Sequence, residues 1–96
     1  MTLDTGHANI GSKGADRALD FIKKFGNRIE HIHANDNMGK EDNHLPLGVG
    51  TVDFQQVIAA LKSIGYDRTV TLEVFSRDRD YLRLSRDKFA AMVAGA

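Results

Sequence analysis

The sequence predicts an α/β fold of three βα units whose strands lie parallel in one sheet. One ground is rhythm. Short β-branched and apolar runs alternate with stretches whose apolar residues recur at helical spacing, in the order βαβαβα. Such alternation goes with parallel strands joined by right-handed helical crossovers. The other ground is where the polar side chains fall. Asp4-Thr5-Gly6-His7, His33-Ala34-Asn35-Asp36 and Leu72-Glu73-Val74 each sit where an apolar run stops, and Asp42-Asn43-His44 lies in the loop after the second run. Groups so far apart in sequence meet only if strand ends converge, and parallel strands all end on one side.

The first strand is read over Thr2-Leu3-Asp4-Thr5, followed by a loop from Gly6 to Lys13. Ala15, Ala18, Leu19, Ile22 and Phe25 then mark a helix, which Gly26-Asn27 stops. Arg28 to Ala34 alternates as a strand, with Ile29, His31 and His33 on one face and Glu30, Ile32 and Ala34 on the other. A polar loop follows from Asn35 to Val52, broken by Gly39, Pro46, Gly48 and Gly50. Loops this long in small domains are usually functional or disordered.

Asp53 offers an N-cap with Gln56 at capping-box spacing, and Phe54, Val57, Ile58, Leu61 and Ile64 form a helical stripe closed by Gly65. Thr69 to Phe75 is the strongest strand pattern and is expected to be buried on both faces. A last helix is predicted from about Asp80 to Val93, with Leu82, Phe89, Met92 and Val93 on its buried side.

Composition narrows the function classes. Ninety-six residues fit one small domain. Thirteen basic residues balance thirteen acidic ones, so the chain lacks the net positive charge of a nucleic-acid binder. Without cysteine there is no disulfide framework, thiolate zinc site or cysteine nucleophile, and any metal must be held by nitrogen and oxygen. No segment approaches the roughly 18 consecutive apolar residues of a membrane helix, and no secretory signal is readable; a cytoplasmic location is the expectation.

The clusters suggest metal chemistry, each against a plainer reading. Asp4 and His7 can reach one cavity across Gly6, or Asp4 simply caps the next segment. His33 is placed at the sheet rim, whereas His31, two residues back on the same face, is expected to be buried and hydrogen-bonded below it. Asp36 is either a carboxylate orienting a histidine or an Asx-turn residue. Asp42 and His44 form a D-x-H pair able to chelate zinc, manganese or cobalt from one segment. Glu73 interrupts Val70, Leu72, Val74 and Phe75. A buried carboxylate there needs a metal or a cationic partner. Arg77 and Arg79 read as a solvated helix start or as anion contacts.

Taken in order, D-x-x-H, H-x-x-D, D-x-H-x-P-x-G-x-G and L-E resemble the xylose isomerase-like TIM barrels, which include ketose 3-epimerases and the repair enzyme endonuclease IV. The resemblance implies strands six, seven and eight of a barrel, so that residues 1–96 are its C-terminal part. It implies that Asp4, His33 and Glu73 are metal ligands for a divalent Mn, Zn, Co or Mg ion. In the epimerases the residue matching Glu73 is also an acid/base group, and the one matching His7 contacts the substrate, which implies a sugar or sugar phosphate here. In endonuclease IV the residues matching His7, Asp42 and His44 bind a further zinc, and DNA is then the partner. The fourth family ligand, a glutamate on the fifth strand, has no counterpart here. From this follow the expectation of a homo-oligomer or of a missing N-terminal barrel portion, and a third reading as a catalytically inactive assembly module. One sheet face is expected to be bare and apolar, which would drive association.

Overall fold

Thr2–Asp4 form β1, and Asp4 ends it by capping the helix that follows: its Oδ1 accepts the His7 N–H at 3.0 Å. In the computed structural model, which describes residues 1–95, that helix is α1, Thr5–Asn9. The segment expected as loop thus opens with a short helix, because Asp4 satisfies a backbone donor that would otherwise be orphaned.

Helix α2 spans Asp16–Phe25 and buries Ala18 and Ile22. Gly26, with φ of 39°, ends it and leads into a 3-10 turn over Gly26–Arg28. That turn consumes the start of the expected second strand, so β2 is only His31–Ala34. Helix α3, Phe54–Ser63, is capped as its sequence predicts. Asp53 accepts from Gln56 N at 3.1 Å, and the Gln56 amide donates to the other carboxylate oxygen at 2.7 Å. Strand β3 is Thr69–Leu72, and α4 runs Asp80–Gly95.

The three strands form one parallel sheet in the order β1-β2-β3. Leu3, Ile32 and Val70 stand side by side, as do Asp4, His33 and Thr71. The helices all lie on the face of the first set. Leu3, Ile29 and Ile32 pack with Ala18, Ile22, Val57 and Leu61, while Ala34 packs with Leu47, Phe54 and Ile58.

Several expectations are corrected. β3 is half-buried on its helix side and exposed at Thr69 and Thr71, so it is not buried on both faces. It lies at the sheet edge, and pairing ends at Leu72 rather than Phe75. In α4 the inward stripe is Ser85, Phe89 and Met92, with Ser85 Oγ accepting the Leu47 N–H at 3.1 Å, and Leu82 and Val93 are exposed. The face without helices is not apolar. It presents Thr2, Asp4, His31, His33, Thr69 and Thr71.

A candidate metal centre

Asp4, His33 and Glu73 come from the ends of three adjacent strands. Asp4 and His33 are register partners. Glu73 lies just past β3, its backbone N–H bonded to the Ala34 carbonyl at 3.0 Å, so its side chain falls on the same face. His33 Nδ1 is 2.7 Å from Glu73 Oε1. One ligand atom from each of the three residues lies within 4.8 Å of the others. Two carboxylates and an imidazole thus crowd together without a Lys or Arg beside them among the described residues. Such a convergence of acceptors is satisfied by protons or by a cation, and its donor set suits a hard or borderline divalent ion.

The other predicted residues form a second cluster against the first. Asp42 Oδ2 lies 3.0 Å from His7 Nε2 and 3.3 Å from His44 Nε2, and His7 Nδ1 is 3.5 Å from Asp4 Oδ2. His44 is held from the other side as well. Its Nδ1 is 2.8 Å from the Glu73 carbonyl, which requires N–H at Nδ1 and leaves Nε2 to face Asp42. Burial alone would lower the His44 pKa, but the Glu73 carbonyl and the Asp42 carboxylate outweigh it and hold it above the ordinary value.

The loop carrying Asp42 and His44 is ordered by Asp36, which is neither an Asx-turn residue nor a partner of a histidine. Asp36 is fully buried and its two oxygens take four backbone N–H groups. Oδ1 accepts from Asn37 at 2.9 Å and Val52 at 3.0 Å, and Oδ2 from Gly48 and Gly50, both at 2.9 Å. Its backbone pairs with Leu45, next to His44. Gly50 is required by this closeness, since a Cβ there would lie 2.1 Å from the Asn37 carbonyl.

Buried asparagines tie α1 to the same loop. Asn9 Nδ2 donates to Asn37 Oδ1 at 2.8 Å and Thr51 Oγ1 at 2.9 Å, and Asn37 Nδ2 donates to the Gly6 carbonyl at 2.9 Å. His7 and Asp42 therefore approach from two segments already locked together. Sequence reasoning missed Asn9, Asn35 and Asn37; the cue was a run of short polar residues facing a Gly-rich return.

His31 is not buried, contrary to expectation. It is exposed on the helix-free face, with Nδ1 2.6 Å from Thr69 Oγ1. Arg77 and Arg79 are exposed in the segment leading into α4.

Residues 1–92 match the family model described as xylose isomerase-like TIM barrel. The chain belongs to that family. Within the xylose isomerase-like barrels, a crystal structure of a D-tagatose 3-epimerase-like protein superposes with a TM-score of 0.79 at 35% identity, covering 99% of this chain and 36% of that one. An L-ribulose 3-epimerase of Methylomonas sp. is 36% identical over 81% of this chain and 24% of its own length. A probable endonuclease 4 of Mycobacterium leprae is 36% identical over 66% of this chain and 27% of its own. The chain spans a quarter to a third of the length of the curated relatives it matches. Among the described residues no helix is long and apolar enough to cross a membrane.

Proposed function

We propose that this chain carries the metal-holding part of a sugar or sugar phosphate isomerase/epimerase, corresponding to the last three βα units of a barrel and acting in the cytoplasm. Asp4, His33 and Glu73 are its ligands for one divalent cation. The observation that carries the reading is their convergence within 4.8 Å from three successive strand ends. A bound Mn, Co, Mg or Zn ion would polarise the carbonyl and hydroxyl oxygens of a ketose. Glu73 then takes the proton from the carbon beside the carbonyl, and the hydroxyls of the sugar are oriented by His7. Three protein groups leave room for substrate oxygens. A second acid/base group on the opposite side of the sugar comes from outside this chain, either a preceding barrel portion or a partner copy.

A second reading is favoured by the compactness of His7, Asp42 and His44 around one oxygen, at 3.0 and 3.3 Å, and by the similarity to endonuclease 4. There the trio would hold a further zinc and the substrate would be DNA at an abasic site. The neutral charge balance weighs against it, because phosphate neutralisation dominates DNA affinity. A catalytically inactive assembly module is the third reading, and it predicts metal uptake without turnover.

The test is metal content and solution mass on one sample, followed by two assays on the metal-loaded chain. Epimerisation of a panel containing D-tagatose, D-psicose and L-ribulose supports the proposal, and nicking of abasic-site duplex supports the second reading. Absence of bound metal in wild-type protein, with behaviour unchanged by Glu73→Gln, overturns both.

A further inference from the structure

Asn35 is fully buried beside the candidate centre, and its backbone and side chain are held by different partners. Its backbone is fixed by Thr5, whose Oγ1 accepts the Asn35 N–H at 3.1 Å and donates to the Asn35 carbonyl at 2.7 Å. The side chain makes one hydrogen bond. Nδ2 donates to Asp4 Oδ1 at 3.2 Å, while Oδ1 has no partner among the described residues.

That unpartnered oxygen is informative. It lies against Gly6, where a Cβ would be only 1.9 Å away. Turning the amide over would set its oxygen against a carboxylate oxygen and its NH2 against a CH2 group, so the orientation is dictated by Asp4. An apolar side chain of the same shape would leave no acceptor buried and unpaired, and the strand junction would still be pinned by Thr5. What such a residue could not supply is the N–H aimed at Asp4.

The effect on Asp4 is to divide its two oxygens. Oδ1 takes the His7 N–H and the Asn35 amide, while Oδ2 has only the His7 ring, at 3.5 Å. We propose that Asn35 is a positioning residue that turns the Asp4 carboxylate so that Oδ2 is the oxygen presented to a divalent cation. The inference rests on the proposed metal-centre reading. Partners behind a metal ligand commonly set its orientation, and their loss weakens binding by about 10- to 100-fold. Position 35 thereby joins the ligand set without touching the ion.

Two measurements on the full chain test it. Mn(II) affinity by calorimetry is expected to fall at least about tenfold in Asn35→Leu and in the smaller Asn35→Ala, which guards against a variant that fails to fold. Thermal unfolding of the metal-free Asn35→Ala, Asp4→Ala and double variants reads the contact itself. Melting shifts that do not add support the proposal, because the second substitution then removes a bond already lost. Additive shifts, or wild-type Mn(II) affinity in both Asn35 variants, overturn it. A wild-type chain that takes up no Mn(II) sinks the metal reading, and the melting cycle still decides the Asn35–Asp4 coupling.

Discussion

His44 lies flat on Phe75, with ring centroids 4.1 Å apart and planes 7° from parallel. The backbone joins the same pair, since Phe75 N–H donates to the His44 carbonyl at 3.0 Å while His44 Nδ1 bonds the Glu73 carbonyl. The long loop and the exit of β3 are thereby clasped across one contact, although Phe75 itself is 69% exposed.

Removing that aromatic partner is expected to loosen the loop rather than the core. Phe75→Ala should cost about 1 kcal/mol, the usual worth of a ring pair, in urea unfolding. Amide exchange should quicken around residues 42–45 and stay unchanged in α2. A loss spread evenly over the molecule would contradict this account.

Asp36 sets the loop more strongly. Asp36→Asn keeps the shape but offers one acceptor oxygen where two take four N–H groups, and each buried donor left unpaired costs about 1–3 kcal/mol. The variant is expected to lose more than about 2 kcal/mol, with exchange protection lost first at Gly48, Gly50 and Val52. Protected amides at these three positions would show that the carboxylate is not their acceptor.

Gly50→Ala probes the same packing sterically. Its Cβ would meet the Asn37 carbonyl at 2.1 Å, a backbone atom that cannot swing aside as a side-chain tip would. A destabilisation of about 1–3 kcal/mol is expected from overpacking. Gly65→Ala serves as the control, because no atom lies within 4 Å of a Cβ there and only its φ of 69° opposes the change.

The raised His44 pKa fixes a sign. The folded chain binds this proton more tightly than the unfolded one, so the contribution is fully present below about pH 6.5 and is lost as pH rises through the folded value. Metal-free wild type should therefore lose stability relative to His44→Gln as the pH rises above about 6.5. Parallel pH curves for the two proteins would refute the assignment.

The alternation of apolar runs showed the three strands and the long helices because burial on one face imposes it. The strand-end positions of Asp4, His33 and Glu73 were legible for the same reason. Strand lengths were not. The start of β2 was taken by a 3-10 turn after Gly26, and β3 stops short because it lies at the edge with one neighbouring strand. Asp36 was misread because three of its four partners are backbone amides 12 to 16 positions away, which no local spacing reveals. His31 was expected inside because two-residue alternation assigns it to the His33 face, yet that face carries no helix.

Thr2, His31, Thr69 and Thr71 give the helix-free side of the sheet a hydrogen-bonding texture, with His31 already engaged by Thr69. Water wets such a face well, so it gains little from indiscriminate sticking. Any surface that closes over it has to offer matching donors and acceptors in step with the strands. A slip of one residue would oppose those groups with the wrong partners. Selectivity is thus written into the wettable side of the sheet, while the greasy side is taken up by the helices.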